Sequence, residues 1–313
     1  MTIDKKFVDQ IIEVSSRAAY ASSHLVGKND KIAADKAAVD AMRQYLNQMD
    51  INGKVVIGEG ELDEAPMLYI GEKLGTKKGP NIDIAVDPLE GTNFAAKNLP
   101  GALSVISIAE RNDLFHAPET YMNKIAAKVD QKNIVDLDFS IKKNLDNLAQ
   151  YKNKNIEDLT VCMLERSRHK KIIEEIKNNG SNTKLITDGD VAGALLVTND
   201  EFEVDLFLGI GGGPEGVLAA SALDGYNCFF QGKFLFENDD DKMRAKSMGI
   251  KDFEKKYSLD EIVSGDSIFC ATGITSGDLV EGIKSNNRSF ISETLVTHKS
   301  SNFKQKIKRE YNI

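Results

Sequence analysis

The string Asp87-Pro88-Leu89-Glu90-Gly91-Thr92 holds two carboxylates, a hydroxyl and a glycine directly after the apolar run Ile82-Asp83-Ile84-Ala85-Val86. Proline donates no ladder hydrogen bond, so the run reads as a strand that stops at Asp87-Pro88. Gly91 permits the sharp turn that brings Asp87, Glu90 and Thr92 together. Two carboxylates and a hydroxyl at a strand's C-terminal end suit a hard cation. In open α/β sheets that edge is also where ligands bind. Taken alone, the same letters fit an ordinary Asp-Pro turn equally well.

Other acidic groups change the balance. Gly58-Glu59-Gly60-Glu61 follows the apolar stretch Lys54-Val55-Val56-Ile57, which places a further carboxylate at a strand end with glycine on either side. Asp35 falls near the start of a predicted helix, where its simplest role is to complement the helix dipole. Gly211-Gly212-Gly213-Pro214-Glu215-Gly216 follows another apolar run and opens a helix. Backbone amides at such a helix start suit a phosphate, and Glu215 adds a carboxylate. The glycine spacing matches neither the dinucleotide fingerprint nor the Walker loop.

These groups must be positioned by a chain of 313 residues, a length that suggests about two domains. Apolar residues at helical spacing (Phe7, Ile11, Val14, Ala18, Leu25) predict a helix over residues 7–26, closed by Gly27. A second helix is predicted over residues 33–49, strands over 54–57, 82–86 and 102–109, and a helix over 67–74 after Pro66. The polar stretch at 153–158 marks the expected boundary between an N-terminal α+β domain, 1–157, and a C-terminal α/β domain, 158–313. Beyond it, strand and helix alternate through 159–164, 184–187, 191–197, 204–210 and 267–271, which predicts a largely parallel sheet covered by helices. The charge run 238–242 reads as an exposed loop, and the basic stretch 299–308 as a solvated end.

Bulk properties narrow the function. A net charge of −8 argues against non-specific nucleic-acid binding, which needs a basic surface. It leaves room for a phosphorylated substrate met through recruited cations. Cys162, Cys228 and Cys270 are far apart, with neither disulfide nor zinc spacing, and suit a reducing compartment. The N-terminus does not read as a signal peptide. No apolar run approaches the ~20 residues of a membrane span. A soluble cytoplasmic protein is expected.

The Asp87-to-Thr92 string resembles the Asp-Pro-(Ile/Leu)-(Asp/Glu)-Gly-Thr motif of the inositol monophosphatase and fructose-1,6-bisphosphatase superfamily. Glu90 points to its class II fructose-1,6-bisphosphatases, as do Val56-Ile57-Gly58-Glu59-Gly60-Glu61 and the block from Asp63 to Lys73. Ala117-Pro118-Glu119-Thr120-Tyr121-Met122, Asp188-Gly189-Asp190-Val191-Ala192, the glycine string around Glu215 and the block Ala271-Thr272-Gly273-Ile274-Thr275-Ser276-Gly277-Asp278-Leu279 are similar too. The likeness runs in the family's order from about residue 14 to 296. It implies a layered α-β-α-β-α sandwich and removal of the 1-phosphate of fructose 1,6-bisphosphate, a gluconeogenic step.

By that resemblance, Asp35 and Glu59 hold one divalent cation, and Asp87, Glu90 and Glu215 a second. An all-carboxylate set without His or Cys selects Mg²⁺ or Mn²⁺. Thr92, with a neighbouring carboxylate such as Glu59 or Asp87, is expected to orient or deprotonate the attacking water. The sugar-phosphate contacts carried over are Glu90, Gly91, Thr92, Tyr121, Arg166, Ser167, Arg168, Asp188, Gly189, Asp190 and Gly212. The family's Lys-Pro-Arg-His-like string reads Arg166-Ser167-Arg168-His169 here, so positive charge survives with a different shape. Relatives assemble as dimers or tetramers, which implies a homo-oligomer. The alternatives are sedoheptulose 1,7-bisphosphate or an inositol monophosphate as substrate, or a non-catalytic sugar-phosphate sensor.

Overall fold

The computed structural model describes residues 3–58 and 68–313. The chain is mixed α/β, with two sheets and flanking helices, as the class expected from sequence requires. Two compact units emerge: Met1–His116 with Val263–Ile313, and Ala117–Ile262. The boundary expected at residue 157 falls inside the second unit. Its polar stretch is a helix stop followed by a capped 3₁₀ turn, in which Asn153 adopts a left-handed conformation and Asn155 caps Ile156–Asp158. Polar residues there serve chain reversal.

The first unit begins with α1 (Phe7–Ser23), α2 (Lys31–Leu46), β1 (Asn52–Ile57), β2 (Lys73–Leu74), β3 (Asn81–Glu90), α3 (Thr92–Lys97) and β4 (Leu103–Glu110). Asp30 caps α2 by accepting the Ala33 amide at 2.9 Å. The apolar positions of α1 (Phe7, Ile11, Val14, Ala18) are buried, as their spacing requires. The helix expected at 67–74 is not formed over residues 68–74. These run as turn and coil into β2, which pairs with β1 through Gly53 and Lys54. Met67 lies outside the described residues.

The second unit contains β5 (Tyr121–Ala127), α4 (Ile141–Lys152), β6 (Thr160–Leu164), α5 (Lys170–Asn178), β7 (Asn182–Ile186), α6 (Asp190–Leu195), β8 (Leu206–Gly212), α7 (Gly213–Gly225), β9 (Phe229–Leu235), α8 (Asp239–Ser247), β10 (Lys256–Ser258) and α9 (Leu259–Ile262). Its sheet order is β10-β9-β5-β8-β6-β7. The expected largely parallel sheet is corrected. Within this sheet, among the described residues, parallel pairing is confined to β6 with β7 and β8, whereas β5 pairs antiparallel with β8 and β9, and β9 with β10. Strands β5 and β9 escape sequence reading because Asn123, Lys124, Gln231, Gly232 and Lys233 break their apolar pattern. The charge run at 238–242 is also no loop. Asn238 caps α8 by accepting the Asp241 amide at 2.8 Å, and Asp239, Asp240 and Asp241 fill its first turn, where the helix dipole favours anions.

The chain then returns to the first unit with β11 (Ser267–Gly273), β12 (Lys284–Ser285), β13 (Ser289–His298) and β14 (Phe303–Asn312). The sheet runs β12-β13-β11-β4-β3-β1-β2, with β14 on β13. The run expected at 267–271 in the C-terminal sheet is therefore β11, paired with β4 and β13 of the first unit. The stretch read as a solvated end is β14, paired with β13 from Phe303 facing His298 to Asn312 facing Ser289. Its lysines stay exposed while Phe303 and Ile307 pack on the core, so the alternation is real but masked by charge. Helix α1 packs across β11, β13, β4 and β3, and α2 against β3. Buried hydroxyls fasten that layer: Ser15 bonds Thr272 at 2.7 Å, Thr272 bonds Thr294 at 2.7 Å, and Ser16 bonds Ser292 at 2.8 Å. Cys162, Cys228 and Cys270 are buried, and none of them forms a disulfide. Among the described residues, no helix is long and apolar enough to cross a membrane.

Arg17 clamps α1 to the C-terminal strand. Its guanidinium lies 5.1 to 5.3 Å from the ring centroids of Tyr45, Phe290 and Tyr311, and donates to the Asn312 carbonyl at 2.9 Å. Replacing Arg17 with Met keeps the stem but removes those contacts. The expected cost is about 2 kcal/mol, from cation–π attraction plus one hydrogen bond. Urea denaturation of Arg17→Met checks this, and an unchanged midpoint refutes it.

Candidate active site

In the first unit the acidic string does not end β3. The strand continues through Pro88 to Glu90, and its ladder with β4 shifts register between Asp87, opposite Val105, and Glu90, opposite Leu103. One extra residue on β3 makes a bulge, the setting in which a sheet tolerates a residue without an N–H. The Asp87 carboxylate accepts the Leu89 amide at 3.2 Å, folding the side chain back over the bulge. Asp87 is half-buried and Glu90 is buried.

Gly91 then takes φ +79°, and a Cβ there would lie 2.9 Å from Phe94 Cδ2, so both backbone and space call for glycine. Its carbonyl accepts the Phe94 amide at 2.9 Å and starts α3 with Thr92 as the first helical residue. Asp35 is half-buried, one turn into α2 rather than at its cap. The link between the two helices is direct. The Gly27 and Asn29 amides donate to the Ala95 and Ala96 carbonyls, each at 2.9 Å, and α2 packs on both α3 and β3. The elements carrying Asp35, Asp87, Glu90 and Thr92 are thus joined. Glu59 lies outside the described residues. Among the described residues, no group of three or more His, Cys, Asp or Glu side chains is arranged to hold a metal ion.

In the second unit, Glu215 occupies the first turn of α7, whose N-cap is Gly212. A Cβ on Gly212 would stand 1.8 Å from Glu215 Oε2, so the carboxylate folds against backbone that only glycine leaves open. That Oε2 is buried and has no hydrogen-bond partner among the described residues. Burial raises the Glu215 carboxyl above its ordinary range; Lys124 opposes this, while Asp190 and Glu119 add to it.

The remaining sequence-derived contacts fall into pairs. Arg168 lies over the Tyr121 ring, 4.8 Å from its centroid, and donates through Nε and Nη2 to the Ile210 carbonyl at 3.0 and 2.8 Å. Tyr121 is exposed. Arg166 donates to the Thr187 carbonyl at 2.6 Å and approaches Asp188 at 3.6 Å. Ser167 is exposed on the 3₁₀ turn Ser167–His169. Gly189, at φ +83°, is the N-cap of α6, which makes Asp190 its first helical residue.

Sequence reasoning missed two residues. Lys124 is 1% exposed and forms an ion pair with Asp190, and its Nζ also donates to the Gly212 carbonyl at 2.7 Å. The available signal was its place between Met122 and Ala126 on the buried face of a strand, legible only once β5 is known. His169 is buried and bridges β6 to β8. Its Nδ1 lies 2.6 Å from the Leu164 carbonyl, and its Nε2 accepts the Ile210 amide at 2.8 Å. Accepting at Nε2 requires the neutral ring with its proton on Nδ1.

Burial lowers the His169 pKa below the ordinary imidazole value. The unfolded chain therefore takes up a proton here before the folded one does. The contribution of His169 to stability is complete above about pH 6.5, the unfolded value, and is lost as pH falls toward the depressed folded value. Urea midpoints at pH 7.5 and 5.5 should differ more for the parent protein than for His169→Gln. Equal pH dependence contradicts this assignment.

A family model described as bacterial fructose-1,6-bisphosphatase, glpX-encoded, matches residues 5–311. The D-fructose 1,6-bisphosphatase class 2/sedoheptulose 1,7-bisphosphatase of Synechococcus sp. (strain JA-3-3Ab) is 40% identical over 324 residues, covering 96% of this chain and 93% of the relative. The relative of the same name from Trichodesmium erythraeum (strain IMS101) is 40% identical over 300 residues, covering 88% and 87%. Among solved structures, the extragenic suppressor protein suhB from Bartonella henselae gives a TM-score of 0.38 at 9% identity, covering 63% of this chain and 73% of that one.

Proposed function

Because the chain belongs to the family of bacterial, glpX-encoded fructose-1,6-bisphosphatases, we propose that it hydrolyses the 1-phosphate of fructose 1,6-bisphosphate, giving fructose 6-phosphate and phosphate. The observation that carries the reading is the bulged end of β3, where Asp87, Glu90 and Thr92 lie within one turn of chain. Relatives named for both activities favour sedoheptulose 1,7-bisphosphate as a second substrate. We place the enzyme in the cytoplasm, in gluconeogenesis, as a dimer or tetramer.

The residues present fit a divalent cation. Glu215 offers a buried carboxylate oxygen that no described donor satisfies, and the proposed ligands are all oxygen donors, which favour Mg²⁺ or Mn²⁺. By the resemblance, Asp35 and Glu59 are proposed to hold one such cation, and Asp87, Glu90 and Glu215 a second. When bound, such a cation offsets the negative charge of the phosphoryl group and makes water more acidic.

The chain's own groups do the rest. Thr92 would orient the attacking water through its hydroxyl, assisted by a carboxylate, Asp87 or Glu59. Arg168 uses Nε and one Nη2 proton on Ile210, leaving guanidinium donors for a phosphate. The amides at the start of α7 suit a second phosphate. Asp188 and Asp190 would accept hydrogen bonds from sugar hydroxyls, and Tyr121 would cover one face of the sugar.

Phosphate release from a panel of sugar bisphosphates and inositol monophosphates, with and without Mn²⁺, tests the reading. Fructose 1,6-bisphosphate should be hydrolysed only when a divalent cation is supplied, and silence on that substrate sinks the proposal. Asp87→Asn and Glu215→Gln should each lose at least as much activity as the ~100-fold upper end observed for changes one shell further out. Parent-like rates in either variant contradict the metal assignment. Thr92→Ala should lower kcat by about 100-fold with KM nearly unchanged, as for a group acting in the transition state. A defect confined to KM removes Thr92 from the chemistry.

A further inference from the structure

We propose that Lys124 is a positioning residue of the sugar-phosphate site, a buried ammonium that holds the Asp190 carboxylate and the Gly212 carbonyl in one fixed arrangement. The proposal rests on the function assigned above, and it adds a residue that the sequence motifs do not contain.

Lysine is almost never fully buried unless it is paired, and Lys124 is 1% exposed. In the β5 register its cross-strand neighbours are Gly209 on β8 and Gly232 on β9, so no side chain flanks it in the sheet. On α7, a Cβ at Gly216 would lie 2.6 Å from Met122 Sδ and 3.4 Å from Lys124 Cδ, so the missing side chain there leaves space that Met122 shares with the lysine stem. The ammonium at the end of that stem meets Asp190 at the start of α6 and the carbonyl of Gly212 at the start of α7. It therefore ties together the first turns of two helices, each opened by a glycine that belongs to the proposed substrate set.

A buried ion pair is a poor way to gain stability, because desolvation offsets most of the attraction and an apolar pair of similar volume does as well. The geometry points to aim rather than stability. Asp190 carries the charge that would receive a sugar hydroxyl, and without Lys124 its repulsion with the Glu215 carboxylate would lose the cation that offsets it. Gly212 sets the first amides of α7, and its carbonyl would lose the ammonium that orients it. Lys124 touches neither phosphate nor water in this scheme; it acts through Asp190 and Gly212.

Lys124→Met and Lys124→Gln test the proposal, with folding checked by circular dichroism. KM for fructose 1,6-bisphosphate at saturating Mn²⁺, and the Kd for fructose 6-phosphate by titration calorimetry without substrate turnover, are the readouts. Both constants should rise roughly 10- to 100-fold, the range for losing a hydrogen bond to a charged group, while kcat changes much less. Folded variants with parent-like KM and Kd overturn the proposal, as does a loss of kcat alone. Failure of both variants to fold assigns Lys124 to the fold only and overturns it too. A parent protein inactive on fructose 1,6-bisphosphate would instead sink the functional reading, which the variants do not address.

Discussion

One interruption in a hydrogen-bonded ladder organises the first unit. Between Asp87 and Glu90, β3 carries one residue more than β4 can match, and Pro88 sits in the surplus. A regular strand would point successive side chains to opposite faces and keep Asp87 and Glu90 apart. The bulge breaks that alternation, and the left-handed Gly91 then turns the chain into α3 with Thr92 at its head. Because the carbonyls of α3 receive the Gly27 and Asn29 amides, the segment leading into α2 is held to the same short helix. Asp35 inherits its position from that chain of backbone contacts.

The second unit solves a related problem by crowding. Glu215 is folded against Gly212 so closely that any Cβ would displace it, and Asp190 and Lys124 fill the space beside the same helix start. Charges held this way cannot relax toward water, which is what pre-organised electrostatics require. His169 contributes from beneath. By accepting the Ile210 amide while Arg168 donates to the Ile210 carbonyl, neighbouring residues grip both faces of one peptide position. The exposed Arg168–Tyr121 stack is therefore mounted on a strand whose backbone is fixed from the buried side.

How much of this was readable in advance depends on the range of the cause. The Asp87-to-Thr92 string, the left-handed Gly91 and the helix opening at Gly213 all follow from the letters themselves, because proline and glycine act on their own backbone. The α1 stripe was legible for the same reason: its periodicity is local. Strands β5 and β9 were not. Their alternation is broken by Lys124, Gln231 and Gly232, whose side chains, or lack of them, make sense only against partners far along the chain. In β14 the exposed lysines hid a strand that Phe303 and Ile307 tether to the core. The acidic run at 238–242 looked like a loop because a helix N-terminus and a solvated turn share the same composition.

The sequence by itself determined the family and the places where backbone must turn, since each of these is written in contiguous residues. The tertiary structure alone decided that the chain leaves its first unit at His116 and returns at Val263, that most of the second sheet pairs antiparallel, and that a buried lysine meets Asp190 and the Gly212 carbonyl. The physical reason is that strand order and the pairing of buried charges are set by which distant segments exclude water together. No local propensity records that choice.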